Sequence, residues 1–269
     1  MKWYKNVFSI FTIGIAFLVF SFLAFVLFAI IWNGGPGFFA NLQSKEVLFA
    51  LKLSLCTSTI STCIVFVLSI FTAYAFCRTN MPLKKTASVL MELTLSVPYI
   101  LLGLALLIVF ASPFGKWLKE LGIPVIFSPL GIIMAHLIVN LPYMIRLMVT
   151  AFEELDFRYE FIAQTLGASP FQSFLTILLP MCRNNLMSAF LLTWSRAMGE
   201  FGATLMVVGI TRMKTETLPG NIYLAVSTGN TEAAMSTALL ILIISAFVLI
   251  LSLLLTRKNS KKRRKASFL

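Results

Sequence analysis

Long apolar runs separated by short polar intervals dominate the pattern of this chain. Six of them reach the length needed to cross a bilayer, roughly 20 residues: Val7 to Trp32, Leu48 to Ala75, Ser88 to Ala111, Leu130 to Ala151, Leu186 to Ile210 and Met235 to Thr256. The first run is too long for a signal-peptide core and no small-x-small cleavage site follows it, so it reads as a spanning helix. The pattern predicts an all-α membrane protein, one membrane domain over 1–269, with a polar-faced insert at 152–183 and a basic tail at 257–269.

The insert has its own local logic. Ser169-Pro170-Phe171-Gln172 supplies a capping residue, a proline suited to the first helical turn, and a glutamine three positions after the cap. Gly167 stands just before it, where a preceding helix needs a residue that tolerates positive φ. The expected result is helix, sharp turn, helix. Glu153, Glu154, Asp156 and Glu160 are expected in the first turns of the earlier helix, at the positive end of its dipole. Phe171, Phe174 and Leu178 fall on one stripe of the later helix, with Gln172, Ser173 and Thr176 off it. A docking element and an amphipathic hairpin lying on lipid are both compatible with this pattern.

Composition agrees with a membrane protein: 59% hydrophobic and 12% charged residues. Orientation follows the bias of Lys and Arg. Lys2, Lys5, Arg78, Lys84, Lys85 and the tail from Arg257 to Lys265 mark cytoplasmic segments, so both termini and the insert are expected inside a multi-pass plasma-membrane protein. The net charge of +12 is concentrated in that tail. A basic run directly after a spanning helix anchors topology and touches anionic lipid; nucleic-acid binding is not implied. Cys56 and Cys63 are expected buried in the second span, with Cys77 and Cys182 near its cytoplasmic side. Neither they nor the lone His136 have metal-ligand spacing. No G-x-x-x-x-G-K-[ST] run is present, so the chain offers no phosphate cradle of that kind.

Several intramembrane residues invite a role. Arg196 and Glu200 are spaced i,i+4 in an apolar run and can pair as a structural ion pair; direct contact of Arg196 with an anion is the alternative, which the charge of Glu200 would oppose. Gly199 and Gly202 form a small-residue groove that suits either helix packing or a gate. Pro98 and Pro142 interrupt spans three and four, freeing backbone groups that only protein or cavity water can satisfy.

Two sets of residues resemble a known family. Ala163-Gln164-Thr165-Leu166-Gly167, then nine residues, then Ile177-Leu178-Leu179-Pro180 resembles the EAA loop of ABC importer permeases. Glu160 stands one place early, with Phe161-Ile162 in place of the usual Glu-Ala pair. The run Ser195-Arg196-Ala197-Met198-Gly199-Glu200-Phe201-Gly202-Ala203-Thr204-Leu205-Met206 is similar to the fifth-helix signature of oxyanion permeases, its ending closest to the molybdate and tungstate branch. Asn140-Leu141-Pro142 with Arg146, and Thr217-Leu218-Pro219 with Asn221-Ile222-Tyr223, extend the likeness across about residues 85 to 230.

The resemblance implies a type I importer permease with six spanning helices and a cytoplasmic helix-turn-helix coupling loop. Glu160, Ala163, Gly167, Ser169, Phe171, Ile177, Leu179 and Pro180 would form the coupling element; Pro98, Asn140, Pro142, Gly199, Gly202, Thr204 and Met206 would line a pathway or gate. It implies a second copy of the chain, two ATPase subunits that bind ATP and Mg, and an extracytoplasmic oxyanion-binding protein as partners. This chain would be a transport subunit without a cofactor of its own, carrying molybdate or tungstate. Sulfate, thiosulfate or another small anion is the alternative cargo. A proton-coupled carrier using Glu92, His136 or Glu200, or a non-transporting scaffold, are the alternatives outside the class.

Overall fold

The computed structural model describes the backbone of residues 2–266 and the side chains of residues 8–255. The basic residues expected to anchor both termini, Lys2, Lys5 and the tail from Arg257, lie outside the described side chains. The described backbone is helical without strands: α1 (Lys2–Gly34), α2 (Phe38–Leu42), α3 (Lys45–Arg78), α4 (Lys84–Ser96), α5 (Tyr99–Ala111), α6 (Pro113–Glu120), α7 (Pro129–Glu153) and α8 (Arg158–Thr165). Then α9 (Pro170–Ser173) passes through a π turn (Phe174–Leu178) into α10 (Leu179–Met198), followed by α11 (Gly202–Val208), α12 (Leu218–Ser227) and α13 (Thr231–Ala266).

Five helical stretches are long and apolar enough to cross a membrane, and a sixth crossing is made if the bent pair α4 and α5 counts as one. Their contacts support that count. α4 lies beside the later half of α7, where Lys84, Ser88 and Glu92 share a cleft with Pro142, Arg146 and Glu153. α5 packs against the earlier half of α7, with Phe110 in the same buried cluster as Ile132 and Ala135. The two short helices together therefore cover the depth that α7 covers alone. The third predicted span is nonetheless not straight: its halves meet at 109°. Val97 is extended (ψ 135°) and Pro98 caps α5, because the residue before a proline is driven from the helical region and proline lacks an amide hydrogen.

A second break corrects the predicted continuous fifth span. Its helix ends at Met198 and resumes at Gly202. The Glu200 carboxylate accepts a 2.8 Å hydrogen bond from the amide of Ala203, so it serves the first turn of α11. The same run starts earlier than predicted, being helical from Pro170. Pro180 is tolerated there because the π turn just before it widens the helix, with Leu179 N–H reaching back to the Phe174 carbonyl.

The centre of the bundle is the α3–α7 contact. The buried face of α3 carries Ser54, Ser58, Ser61, Thr62, Val65, Ser69 and Ala73, small residues that let another helix approach closely. Ser61 Oγ lies 3.2 Å from Nδ1 of buried His136, which accounts for that histidine as a packing residue. Cys56 and Cys63, expected to be buried, lie instead on the exposed side of the second span, whereas Cys182 is buried in the core around Phe152 and Phe174. α1 exposes apolar side chains along its length, as a lipid-facing helix does. It meets α13 where Gly34 permits backbone contact: a Cβ there would sit 2.5 Å from the Met235 carbonyl.

α5 and α11 touch at the same level of intimacy. A Cβ on Gly103 would lie 2.5 Å from the Ala203 carbonyl oxygen and 2.7 Å from its Cα. Because the obstacle is backbone, Gly103→Ala is expected to lower stability by about 1–3 kcal/mol. Gly14→Ala, where no atom lies within 4 Å of the added carbon, is expected to be silent. Thermal unfolding of the two variants in detergent checks the contrast; equal midpoints would show that α5 and α11 do not pack this way.

Candidate functional site

The insert forms a helical hairpin beyond the ends of α3, α7 and α10. α7 runs to Glu153 and Glu154 is its C-cap, so these two acidic residues close one helix instead of opening the next. Asp156 starts the hairpin, its Oδ1 accepting 2.9 Å from the amide of Arg158. α8 ends in two bonds, Gly167 N–H to Gln164 O and Ala168 N–H to Ala163 O, each 3.0 Å. Gly167 adopts φ +97°, the left-handed closure that lets both amides turn back onto the helix. Ser169 and Gln172 then form a reciprocal capping box with Pro170 in the first turn.

Glu160 corrects the expectation that it faces a partner. Its side chain is 1% exposed and its Oε1 lies 2.6 Å from Nε of Arg78, itself 8% exposed. Nη2 of the same arginine donates to the carbonyls of Phe152 (3.0 Å) and Leu155 (3.1 Å), and the guanidinium sits 5.7 Å from the Phe157 ring centroid. One cation at the end of α3 thereby holds the end of α7 and the start of α8 together. Sequence reading used Arg78 only as a topology charge; a partner 82 positions away leaves no periodic signal.

With Glu160 turned inward, an apolar surface points away from the bundle. Leu166 at the hairpin turn is 84% exposed, and Phe161, Ile162 and Phe171 are each more than half exposed. Of the stripe read as Phe171, Phe174 and Leu178, the latter two are buried in the bundle while Phe171 stacks on Phe174 from outside. Ala163, Ile177 and Leu179 are partly buried, and Ser169 and Pro180 are exposed. Leu166, Phe161 and Ile162 were missed because exposure cannot be read from residue type.

Inside the bundle a second cluster gathers around the two broken spans. Gly202 lies against α5, where an added Cβ would be 3.4 Å from Ile100 N and from Tyr99 Cβ. Met206 packs on Gly103, and Pro98 begins α5. Gly199 is exposed, and an added Cβ there would meet only the Arg196 and Ser195 carbonyls, at 3.8 and 4.0 Å. On α7, Pro142 is buried, and buried Asn140 has neither amide atom hydrogen-bonded; Thr204 Oγ1 on α11 is likewise unpaired.

The predicted Arg196–Glu200 ion pair is absent from the pairs formed among the described residues, which are Arg78–Glu160, Arg146–Glu92 and Arg158–Asp156. The helical i,i+4 geometry that would join them is lost when α10 ends at Met198. Arg196 instead places its guanidinium 5.2 Å from the Tyr99 ring centroid and 4.8 Å from that of Tyr143. Neither tyrosine was singled out from sequence, since each lies on a different span.

Five long apolar helices and the bent pair α4–α5, with an apolar hairpin braced outside the bundle, define a polytopic helical membrane protein. Residues 65–264 match the family described as "Binding-protein-dependent transport system inner membrane component", and the chain belongs to that family. It is 32% identical over 209 residues to the molybdenum transport system permease protein ModB of Mycobacterium tuberculosis, covering 77% of this chain and 79% of the relative. It is 30% identical over 203 residues to the sulfate transport system permease protein CysT of Escherichia coli, covering 75% and 73%. Among solved structures it is similar to a chain of the bacterial alginate ABC transporter in complex with an alginate pentasaccharide-bound periplasmic protein. The TM-score is 0.75 at 14% identity, over 94% of this chain and 96% of that one, a likeness of fold. The chain is an ABC importer permease subunit.

Proposed function

We propose that this permease subunit carries molybdate or tungstate inward across the plasma membrane. It would work as a homodimer with two ATPase subunits that bind ATP and Mg, and with an extracytoplasmic oxyanion-binding protein. The observation that carries the coupling part of this reading is the hairpin with Leu166 at its turn: an exposed apolar surface held on a buried ion pair at the bundle's edge. Such a surface suits a cleft on an ATPase, and the brace lets movement of the hairpin reach α3 and α7 as a rigid-body displacement. The charge bias of the loops supports a cytoplasmic position for that hairpin and for both termini, on the side where ATP is found.

The cargo rests on the run ending in Gly-Ala-Thr-Leu-Met, residues 202–206, and on the likeness to ModB; sulfate is the second reading, favoured by the likeness to CysT. The test is uptake into vesicles holding the chain, its ATPase and its binding protein, with Mo, W and S counted inside by elemental mass spectrometry. ATP-dependent Mo or W uptake that resists excess sulfate is expected. Sulfate uptake moves the chain to the second reading, and uptake without ATP removes the ATPase from the mechanism.

A further inference from the structure

We propose that Arg196, clamped by Tyr99 and Tyr143, is the contact through which the pathway receives its anion: a transient site for a divalent tetrahedral oxyanion at the level where the two broken spans meet. This rests on the permease reading above. An arginine within a membrane segment is costly unless a carboxylate, a carbonyl or a ligand answers it. No carboxylate makes a direct ion pair with it among the described residues, and Glu200 acts on it only through space. Glu200, the natural candidate, is turned to the Ala203 amide, and the ion pairs formed among the described residues leave Arg196 out. Its Nε is buried and has no hydrogen-bond partner.

The clamp also decides what the guanidinium has left to offer. Two aromatic rings within cation–π range attract the cation and hold its position. They satisfy none of its N–H donors, which form a planar fork matched to two oxygens of an oxyanion. The side chain is only partly buried, so the fork is not sealed in a core. Asn140, one helical turn before Tyr143 on α7, has both amide atoms unspent and is a second source of hydrogen bonds once α7 and α10 shift.

Two of the three elements that carry the cluster have interrupted geometry, α5 after the Pro98 bend and α10 just before its break at Gly199, while α7 runs unbroken through Pro142. Contact strength at Arg196 thus depends on the relative placement of segments that have joints. A cation shared with two rings, and with one acidic residue four positions on, also holds a dianion less firmly than a bare arginine would. Passage requires this, since a site that binds too tightly does not release.

The experiment uses the full transporter in vesicles and compares wild type, Arg196→Gln, Arg196→Lys and Arg196→Ala for ATP-dependent molybdate and sulfate uptake as a function of anion concentration. Loss of a charge-assisted contact predicts a fall of about 10- to 100-fold in uptake efficiency for Arg196→Gln. Arg196→Lys is expected to keep the charge and part of the rate with a raised KM. Millimolar guanidinium is expected to restore uptake to Arg196→Ala, which a packing role would not allow. If Arg196→Gln does not insert, the KM of Arg196→Lys and the guanidinium rescue decide. A wild-type KM in Arg196→Lys with no rescue of Arg196→Ala, or wild-type uptake by Arg196→Gln, overturns the anion site and leaves the permease reading standing. Failure of the wild-type complex to take up any oxyanion takes down both.

Discussion

Arg78→Ala is expected to detach the hairpin from the bundle while leaving the spans inserted. Arg78 is the cation of a nearly dry pair, and it also closes two backbone carbonyls at the end of α7. Removing it leaves Glu160 buried without its counter-charge, a change that typically costs about 3–5 kcal/mol. The spans themselves are held by lipid and by the α3–α7 contact, so the damage falls on 152–183. Arg78→Lys keeps the charge but cannot make the three-way fork, and an intermediate loss is expected. Glu160→Gln keeps a neutral acceptor, and should loosen the hairpin less than Arg78→Ala.

Proteolysis reads this directly, because Arg158 in the hairpin is an exposed trypsin site. Faster cleavage at Arg158 is expected in Arg78→Ala, together with loss of co-purifying ATPase. Unchanged cleavage and unchanged ATPase recovery would mean that the brace does not hold the hairpin.

The second large effect is expected at the turn. Gly167 sits at φ +97° and its amide donates to Gln164 O. Proline fixes φ near −65° and has no amide hydrogen, so Gly167→Pro removes the left-handed closure and one of its two bonds together. ATP hydrolysis should then proceed without uptake, with insertion intact. Leu166→Glu makes the complementary change: the side chain is 84% exposed and free of any internal role, so the fold should be untouched while ATPase capture fails. The ratio of ATP hydrolysed to anion taken up, with ATPase co-purification, separates the two. Normal uptake by Gly167→Pro would count heavily against the hairpin as the coupling element.

What was legible and what was not divide by physical scale. Capping at Ser169–Gln172 and the stop at Gly167 depend on hydrogen bonds between residues no more than five apart, so residue type and spacing suffice. Membrane spans are likewise legible, because each must satisfy its own backbone and bury its own surface in lipid. Glu160 shows where this ends. Its acidity suggested an outward contact, yet the structure turns it inward, since Arg78 arrives beside it from another span. Arg196 shows the same limit from the other direction: the i,i+4 spacing of a pair was present, but the helix that would align it stops at Met198.

By itself, then, the sequence determined the all-helical membrane character, the six apolar runs and the helix-turn-helix of the insert, each of which is set by short-range backbone chemistry and the hydrophobic cost of exposing apolar surface to water. Only the tertiary structure decided that the fourth span runs unbroken through Pro142 while the fifth is broken between Met198 and Gly202, that Arg78 braces the hairpin through Glu160, and that Arg196 lies between Tyr99 and Tyr143. These depend on which side chains from distant spans meet, and a charge in a low-dielectric interior takes whichever partner the packing brings within a few ångströms.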